Sequence, residues 1–491
     1  MDAPVPALAS RADACAEHLL AGEEVLVVSH IDADGLTSAA VATQALRRVG
    51  LAVETAFSDQ LDDDEIARVA ATDYDTVLFT DFGSGQLEAI RDHEDRGAFT
   101  PVIADHHQPA DADTEYHLNP LLEGIDGASE LSGAGAAYVL ARALGERVGS
   151  GAGGRRNGAG DNTDMRDLAA LAVVGAVGDM QASGGELVGA NTAIAQEGVD
   201  AGVLRTGTDL TLYGKQTRPL PKLLEYASDL DVPGITNDEA GAVSFLDGLG
   251  LDLKREGEWR TWASLDPGER RTLVSALIRR AVNRGVPADR IDGLVGTAYE
   301  LTEEPEGTEL RDASEFSTLL NATARYDRPD VGLGVCLGNR GEALDRARRL
   351  LRNHRRNLSE GLQLVRERGV TREEHLQWFD AGTEIRETIV GIVAGMAVGV
   401  DGVDPDRPIL ALAEKDEEGV KVSSRGTPTL VRRGLDLSTV MGESAVAVEG
   451  EGGGHDVAAG ATIPEGSERA FLDRADAMVG EQLGCTDRQN E

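Results

Sequence analysis

Cysteine is almost missing from the chain. Three stand in 491 residues, Cys15, Cys336 and Cys485, and no two are spaced as a CxxC pair. That excludes a disulfide framework and a thiolate zinc site, so any metal has to sit on histidine and carboxylate. Cys336 reads as a small buried apolar residue. No run of about 18 apolar residues occurs, and the first ten residues lack the basic-then-apolar layout of a signal peptide. The expectation is a soluble, cytoplasmic protein with no membrane partner. Aromatic residues make up only 4% of the chain, which leaves few platforms on which bases could stack. Tyr326 and Phe316 are candidates, with core packing the expected fate of Phe316. Lysine is scarcer still: Lys215, Lys222, Lys254, Lys415 and Lys421 are the only five, so 42 of the 47 basic residues are arginine.

Positive charge is thus in deficit, and the formal net charge is -39. Phosphate binding ordinarily leaves a basic footprint, which such a balance lacks. Abundant Asp and Glu with scarce Lys also fit a halophilic protein in molar salt, where the Debye length shrinks to about 3 Å and surface repulsion is screened. The acidity therefore describes the solvent better than the partner.

The length is too great for one hydrophobic core. Residues 24–107 alternate apolar strands with helical stretches, the rhythm of βαβ units in a parallel sheet with helices on both faces. Helices are expected near 133–147 and 165–177, with a Gly-rich, polar stretch at 148–164 expected as a mobile surface loop. The run from 203 to 304 is weakly patterned, with helical periodicity at 269–284. A long helix follows at 343–369, and a second α/β pattern begins near 383. The expected fold class is α/β, with these divisions: a parallel-sheet domain at 1–200, a mostly helical insert at 201–340, a linking helix region at 341–380, and a smaller α/β domain at 381–491.

Each strand of the first domain ends in acid or histidine. The first runs into Ser29-His30-Ile31-Asp32-Ala33-Asp34-Gly35, the third into Asp81, and the fourth into Asp105-His106-His107. In an open parallel sheet, ligands bind beyond the carboxyl ends of the strands, so these side chains should converge on one crevice. Asp179, after the apolar run LAALAVVGAVG, could be aimed at the same place. Hard divalent cations such as Mn²⁺ take carboxylate and imidazole ligands, and two of them can share a bridging carboxylate, for which Asp81 is well placed. His117 lies close enough after His107 to rim the site. The acidic run 62–65 reads as a helix start.

The strings SHIDADG, TDFGSG, ADHH and VGDM, in that order, resemble the four motifs of the DHH phosphoesterases. GGGH at 452–455, followed by AAGATI, resembles their associated C-terminal domain. The resemblance implies a metal-dependent phosphodiesterase with two divalent cations, Mn²⁺ first and Mg²⁺ second. It puts His30, Asp32 and Asp81 on one cation, and Asp34, Asp81, His106 and Asp179 on the other. His107 would lie beside the scissile phosphate, and Asp105 would orient a histidine. In the C-terminal domain Ser423, Arg425, Gly452, Gly453, Gly454 and His455 would hold substrate. The extra length and the stretch EFSTLLNATARYDRPDVGLGVCLG resemble archaeal RecJ-like proteins, which implies an exonuclease for single-stranded DNA, with RNA open as a second substrate, and GINS as a replication partner. A phosphodiesterase for short oligonucleotides or cyclic dinucleotides, and a replisome scaffold, are the alternatives. Arg346, Arg348, Arg349, Arg352, Arg355 and Arg356 would line a strand groove or pair with nearby carboxylates.

Overall fold

Short, largely buried apolar runs become strands of an N-terminal parallel sheet in the computed structural model. It describes residues 3–151, 163–182, 185–227, 230–400, 402–415 and 419–487, side chains of 485–487 excepted. Most of the Gly-rich stretch expected as a loop, residues 152–162, lies outside the described residues. The chain divides into two units, Met1–Arg348 and Arg349–Glu491.

The first unit begins with α1 (Ala9–Ala21), β1 (Glu24–His30), α2 (Ala33–Arg48), β2 (Ala52–Ser58), α3 (Asp63–Ala70), β3 (Thr76–Thr80), α4 (Leu87–Asp95), β4 (Thr100–Ala104) and β5 (His117–Leu118). The strands form one sheet in the order β2-β1-β3-β4-β5, every pairing parallel. Val25, Leu26, Val27 and Val28 are all buried, as strands covered on both faces must be. Leu26, Val28, Val77 and Phe79 pack one face against Ile66 and Val69 of α3 and Leu87 and Ile90 of α4. On β1 lies also α2, which α5 (Gly133–Gly149) and α6 (Ala169–Gly178) cover in turn. The strand order reverses between β1 and β3, which opens a crevice at their carboxyl ends. Asp62 caps α3 by accepting from the Glu65 N–H at 2.8 Å, so the acidic run is a helix start.

After α7 (Gly189–Asp200), the long strands β6 (Leu204–Leu210) and β9 (Val295–Leu301) pair antiparallel. Between them lie α8 (Leu220–Glu225), α9 (Glu239–Asp247), the short hairpin β7 (Lys254–Arg255) and β8 (Glu258–Trp259), α10 (Pro267–Asn283) and α11 (Ala288–Asp292). These share a core of their own around Leu220, Leu224, Trp262, Leu273 and Leu277. The helices agree with the sequence pattern; the β6–β9 ladder was hidden because LRTGTDL is mostly solvent-facing and carries no apolar alternation.

Next come α12 (Ala313–Ala324) and α13 (Pro329–Cys336). Phe316 is fully buried, as expected, and so is Cys336. Glu315 of α12 is 1% exposed and accepts from the Gln216 N–H at 2.7 Å and the Thr217 hydroxyl at 2.5 Å. Burial pushes its carboxyl up to about 7 against those two hydrogen bonds. A carboxyl that binds its proton more tightly folded than unfolded contributes stability fully below its unfolded value and loses it as pH rises through 7. Glu315→Gln should therefore flatten the pH dependence of the melting temperature between about pH 4.5 and 7, and stabilise the protein at pH 8 by on the order of 2 kcal/mol. Melting curves of both proteins at pH 5 and pH 8 check this.

The helix α14 (Glu342–Arg368) begins in the first unit and ends in the second. Along it Arg346 pairs with Glu342, Arg348 with Glu309 and Arg356 with Glu360, the carboxylate-pairing reading of the arginine run. The second unit contains β10 (Thr371–Arg372), β11 (Gln377–Asp380), α15 (Glu387–Ala397), β12 (Ile409–Lys415), β13 (Gly419–Arg425), α16 (Pro428–Arg432), α17 (Leu437–Val446), β14 (Glu451–Gly454), β15 (Ala458–Pro464) and α18 (Glu468–Asp487). Its six strands run β10-β11-β12-β13-β15-β14. The glycine triplet lies in an edge strand paired with β15.

Candidate metal centre

At the end of β1 the chain turns through Asp32, which caps α2 by accepting from the Gly35 N–H at 3.0 Å. The other Asp32 oxygen, Oδ2, lies 3.2 Å from His30 Nδ1. Asp34, in the first turn of α2, is 2% exposed. The N-terminus of α5 holds it: Gly133 N–H donates to Oδ2 at 2.7 Å and Ala134 N–H to Oδ1 at 3.0 Å. A helix start offers unpaired N–H groups and a positive dipole end, so it fixes a buried carboxylate. Asp81 follows β3 with φ +60, left-handed backbone that a non-glycine residue rarely adopts. That turn brings its Oδ2 to 3.7 Å from His30 Nδ1 and its Oδ1 to 3.2 Å from His106 Nε2. His106 donates from Nδ1 to the Gly127 carbonyl at 2.7 Å, which leaves Nε2 for another partner. Asp179, the C-cap of α6, lies 3.8 Å from His106 Nδ1 and accepts from Gln181 Nε2 at 2.8 Å.

Three groups of potentially ligating atoms result among the described residues, each within a 4.8 Å span: His30 with Asp32 and Asp81, Asp34 with His106 and Asp179, and Asp81 with Asp105, His106 and His107. All six residues expected as metal ligands come together, with Asp81 against both of the first two groups. The donor set fits divalent cations on a direct observation: Asp81 Oδ1 and His106 Nε2 are buried and neither has a hydrogen-bond partner, although they are 3.2 Å apart. Buried polar atoms left so are rare, because each forfeits the hydrogen bonds it made in water.

The electrostatics point the same way. Burial, then the charges of Asp81 and Asp179, push the Asp34 carboxyl far above its usual range. Burial also lifts Asp179, to about 6. Burial alone would lower His30 and His106, but the facing carboxylates, Asp32 and Asp81 for the first and Asp81 for the second, outweigh it and hold both imidazoles up at about 11. Asp81 is driven below the carboxylate range, since those two imidazoles overcome its burial. Carboxylates so crowded need positive charge, which protons supply poorly and divalent cations supply well.

Asp105 lies in the third group, but both of its oxygens are already engaged. Its Oδ1 accepts from the His106 N–H at 2.7 Å and pairs with His107 Nδ1 at 2.8 Å, and its Oδ2 accepts from the Ser84 N–H at 2.9 Å. The carboxylate thus orients both histidines, and its hydrogen bond raises His107 above the ordinary imidazole value. His107 itself is half-exposed, on a cavity of about 250 Å³ shared with His30, Asp32, Asp81, Phe82 and Asp179.

Sequence reasoning missed the residues behind these. Asn119 Nδ2 donates to the His107 carbonyl at 2.9 Å and to Ser84 Oγ at 2.8 Å, and Ser84 Oγ lies 2.9 Å from His117 Nε2. His117 is therefore buried behind the histidine turn and does not rim the site, and burial lowers it to about 4. Two glycines also matter. A Cβ on Gly133 would stand 2.4 Å from Asp81 Oδ1, and one on Gly175 would stand 2.4 Å from Asp34 Oδ1. The signal was present as glycine inside helical runs, SGAG and VVGAVGD.

In the second unit the expected substrate residues lie on neighbouring strands. Ser423 of β13 pairs with Gly460 of β15, which pairs with Gly453 of β14. Arg425, two residues along the same face, packs over α15, where a Cβ on Gly391 would meet its guanidinium at 2.7 Å and Ser423 Oγ at 3.1 Å. Ser424 points the other way and donates to the Ala459 carbonyl at 2.9 Å. Gly452 and Gly454 complete the edge strand, and His455 closes its hairpin by donating from its N–H to the Ala458 carbonyl at 2.9 Å.

The chain matches the DHH family N-terminal domain over residues 24–175, the DHH-CID domain over 212–295 and the DHHA1 domain over 378–481. It is 29% identical to an uncharacterized protein of Methanocaldococcus jannaschii over 94% of both chains. It is 32% identical to the single-stranded-DNA-specific exonuclease RecJ of Dickeya dadantii over 24% of this chain and 22% of that one. RecJ of Thermus thermophilus, crystallised with Mn²⁺, has the same fold over 97% of this chain at 19% identity and a TM-score of 0.58, and this chain spans 55% of it. The same RecJ has been crystallised with Mg²⁺.

Proposed function

From the premise that the chain belongs to the DHH phosphoesterase superfamily and has a RecJ-like fold, we propose that it is a metal-dependent exonuclease hydrolysing phosphodiester bonds of single-stranded DNA, with single-stranded RNA a second substrate. The observation that carries this reading is the convergence of ligating side chains around Asp81 Oδ1 and His106 Nε2, which are buried 3.2 Å apart with no hydrogen-bond partner among the described residues. Packing has little use for such an arrangement, because taking several ionisable groups out of water together is costly.

In this reading His30, Asp32 and Asp81 hold one divalent cation and Asp34, Asp81, His106 and Asp179 the other, Mn²⁺ suiting the mixture of imidazole and carboxylate. When bound, the pair of cations lowers the pKa of a coordinated water and stabilises charge on the phosphate. Asp105 holds His107 by Nδ1, so that Nε2 donates to a phosphate oxygen. The α5 N-terminus keeps Asp34 from turning away. Arg425 offers a guanidinium that matches phosphate in fork geometry, Ser423 and His455 offer further donors, and Gly452, Gly453 and Gly454 let backbone approach the strand closely.

End-labelled forty-nucleotide DNA and RNA, single- and double-stranded, together with a dinucleotide and a cyclic dinucleotide, test this in Mn²⁺ and molar KCl. Stepwise shortening of the single strands is expected, with the duplexes resistant and chelator abolishing the reaction. Turnover of the dinucleotide or cyclic dinucleotide alone would replace the exonuclease reading by the oligonucleotide one, and chelator-insensitive cleavage would remove the metal centre from it.

A further inference from the structure

Beside Asp179, across the C-terminal turn of α6, lies a cavity of about 370 Å³ to which the metal centre contributes nothing. Val177 and Met180 wall one side, Leu210, Leu212 and Lys215 another, and Ala298 of β9 a third. Its volume falls among those of small-ligand pockets, which are apolar with a few placed polar groups.

Two of its residues are placed at a cost to the fold. Met180 closes α6 in a Schellman turn, its N–H donating to the Val177 carbonyl at 3.2 Å and the Gln181 N–H to the Ala176 carbonyl at 3.0 Å. It has φ +60 at the position where glycine is the usual residue. The side chain is 78% exposed and fills no core. Lys215, one of the five lysines, is only 6% exposed. Its ammonium stands 3.3 Å from Asp312 Oδ2 and 3.9 Å from Asp209 Oδ2, and neither contact is a hydrogen bond. The other oxygens of those carboxylates are engaged, Asp312 Oδ1 by the Ser314 and Glu315 N–H groups and Asp209 Oδ1 by the Leu210 N–H and Trp262 Nε1. An ammonium has three donors, so this one retains capacity for an acceptor inside the cavity.

The chemistry selects among ligands. A phosphate would face two carboxylates beside the one ammonium, and a purely aliphatic group would leave the ammonium unsatisfied. A planar heteroaromatic ring with an acceptor on its edge answers both. Met180 and Asp179 are consecutive, with Cα atoms about 3.8 Å apart, so a nucleotide whose phosphate lay at Asp179 would have its base within reach of the cavity. We propose that the cavity receives the nucleobase adjoining the scissile phosphate, with the Met180 thioether against the ring face and Lys215 donating to a ring nitrogen or carbonyl oxygen. Thioether–aromatic contacts are favourable and indifferent to sequence, which suits a nuclease that reads no code.

This rests on the phosphodiesterase reading, and equilibrium binding separates the two. Fluorescent eight-nucleotide strands, one intact and one abasic at the terminal positions, are titrated in Ca²⁺, and cleavage of the same strands is followed in Mn²⁺. The intact strand should bind about tenfold more tightly, the scale of one base stacked on a side chain. The difference should collapse in Met180→Gly, which relieves the backbone, and in Ala298→Phe, which fills the cavity from the wall away from Asp179. Equal binding of the two strands by the wild-type protein overturns the pocket, as does discrimination that survives Ala298→Phe in a folded variant. Discrimination in Ca²⁺ with no cleavage in Mn²⁺ keeps the pocket and removes the nuclease.

Discussion

On the proposed reading, Asp81→Ala should lower hydrolysis of a labelled single strand in Mn²⁺ by roughly three orders of magnitude or more, at or beyond the 10² to 10³ that one preorganised donor contributes. The size follows from position. Asp81 stands within 3.7 Å of His30 and 3.2 Å of His106, one from each proposed cation site, so its loss weakens both sites together. Loss of any other ligand leaves one site whole. Asp81→Asn is the sharper variant, since it keeps volume and one oxygen while removing the charge. Cations that bind only the folded protein raise its stability by about 2.7 kcal/mol at a hundredfold excess over Kd. A Mn²⁺-dependent rise in melting temperature should therefore be seen in the wild-type protein and be largely lost in Asp81→Asn. A folded Asp81→Asn protein that kept both the rise and the activity would remove Asp81 from the centre.

The N-terminal parallel sheet was legible because most of its strands obey a rule that sequence carries openly: buried parallel strands are continuous apolar runs, and ligands bind beyond their carboxyl ends. His30, Asp81 and His106 follow or end such runs, and the sheet order brings them together. What stayed hidden is what has no periodic signature. The β6–β9 ladder faces solvent over most of its length, so its residues are not sorted by apolarity. The glycines of β14 have little strand propensity of their own, and they form an edge strand because β15 supplies the ladder. His117 and Asn119 act through hydrogen bonds to a serine and a carbonyl distant in the chain, which no local pattern encodes.

Gly175→Ala should destabilise the first unit and lower activity about a hundredfold, although alanine is the better helix former. Inside a helix that substitution gains about 1 kcal/mol of propensity. Here the new Cβ would stand 2.4 Å from Asp34 Oδ1, 2.5 Å from Ala134 Cβ and 2.5 Å from Thr37 Oγ1, closer than atoms approach without movement. Overpacking of this kind costs about 1–3 kcal/mol, so the clash outweighs the propensity and the net change is a loss. None of the three neighbours yields easily. Ala134 is backbone-bound at the start of α5, Thr37 donates to the carbonyls of Ala33 and Asp34, and Asp34 is pinned by two N–H groups. The adjustment falls on the Asp34 carboxylate or on the approach of α6, which carries Asp179, and a misplacement of about 1 Å at a reacting centre costs on the order of 10² in rate. Gly484→Ala in α18 is the control, because a Cβ there meets nothing within 4 Å among the described residues. It should gain stability from propensity alone and keep its activity. Melting curves and initial rates of the two variants side by side separate the effects. A Gly175→Ala protein as stable and as active as Gly484→Ala would mean that the α2–α6 contact has slack, and that the fit of Asp34 against α5 is not what fixes the centre.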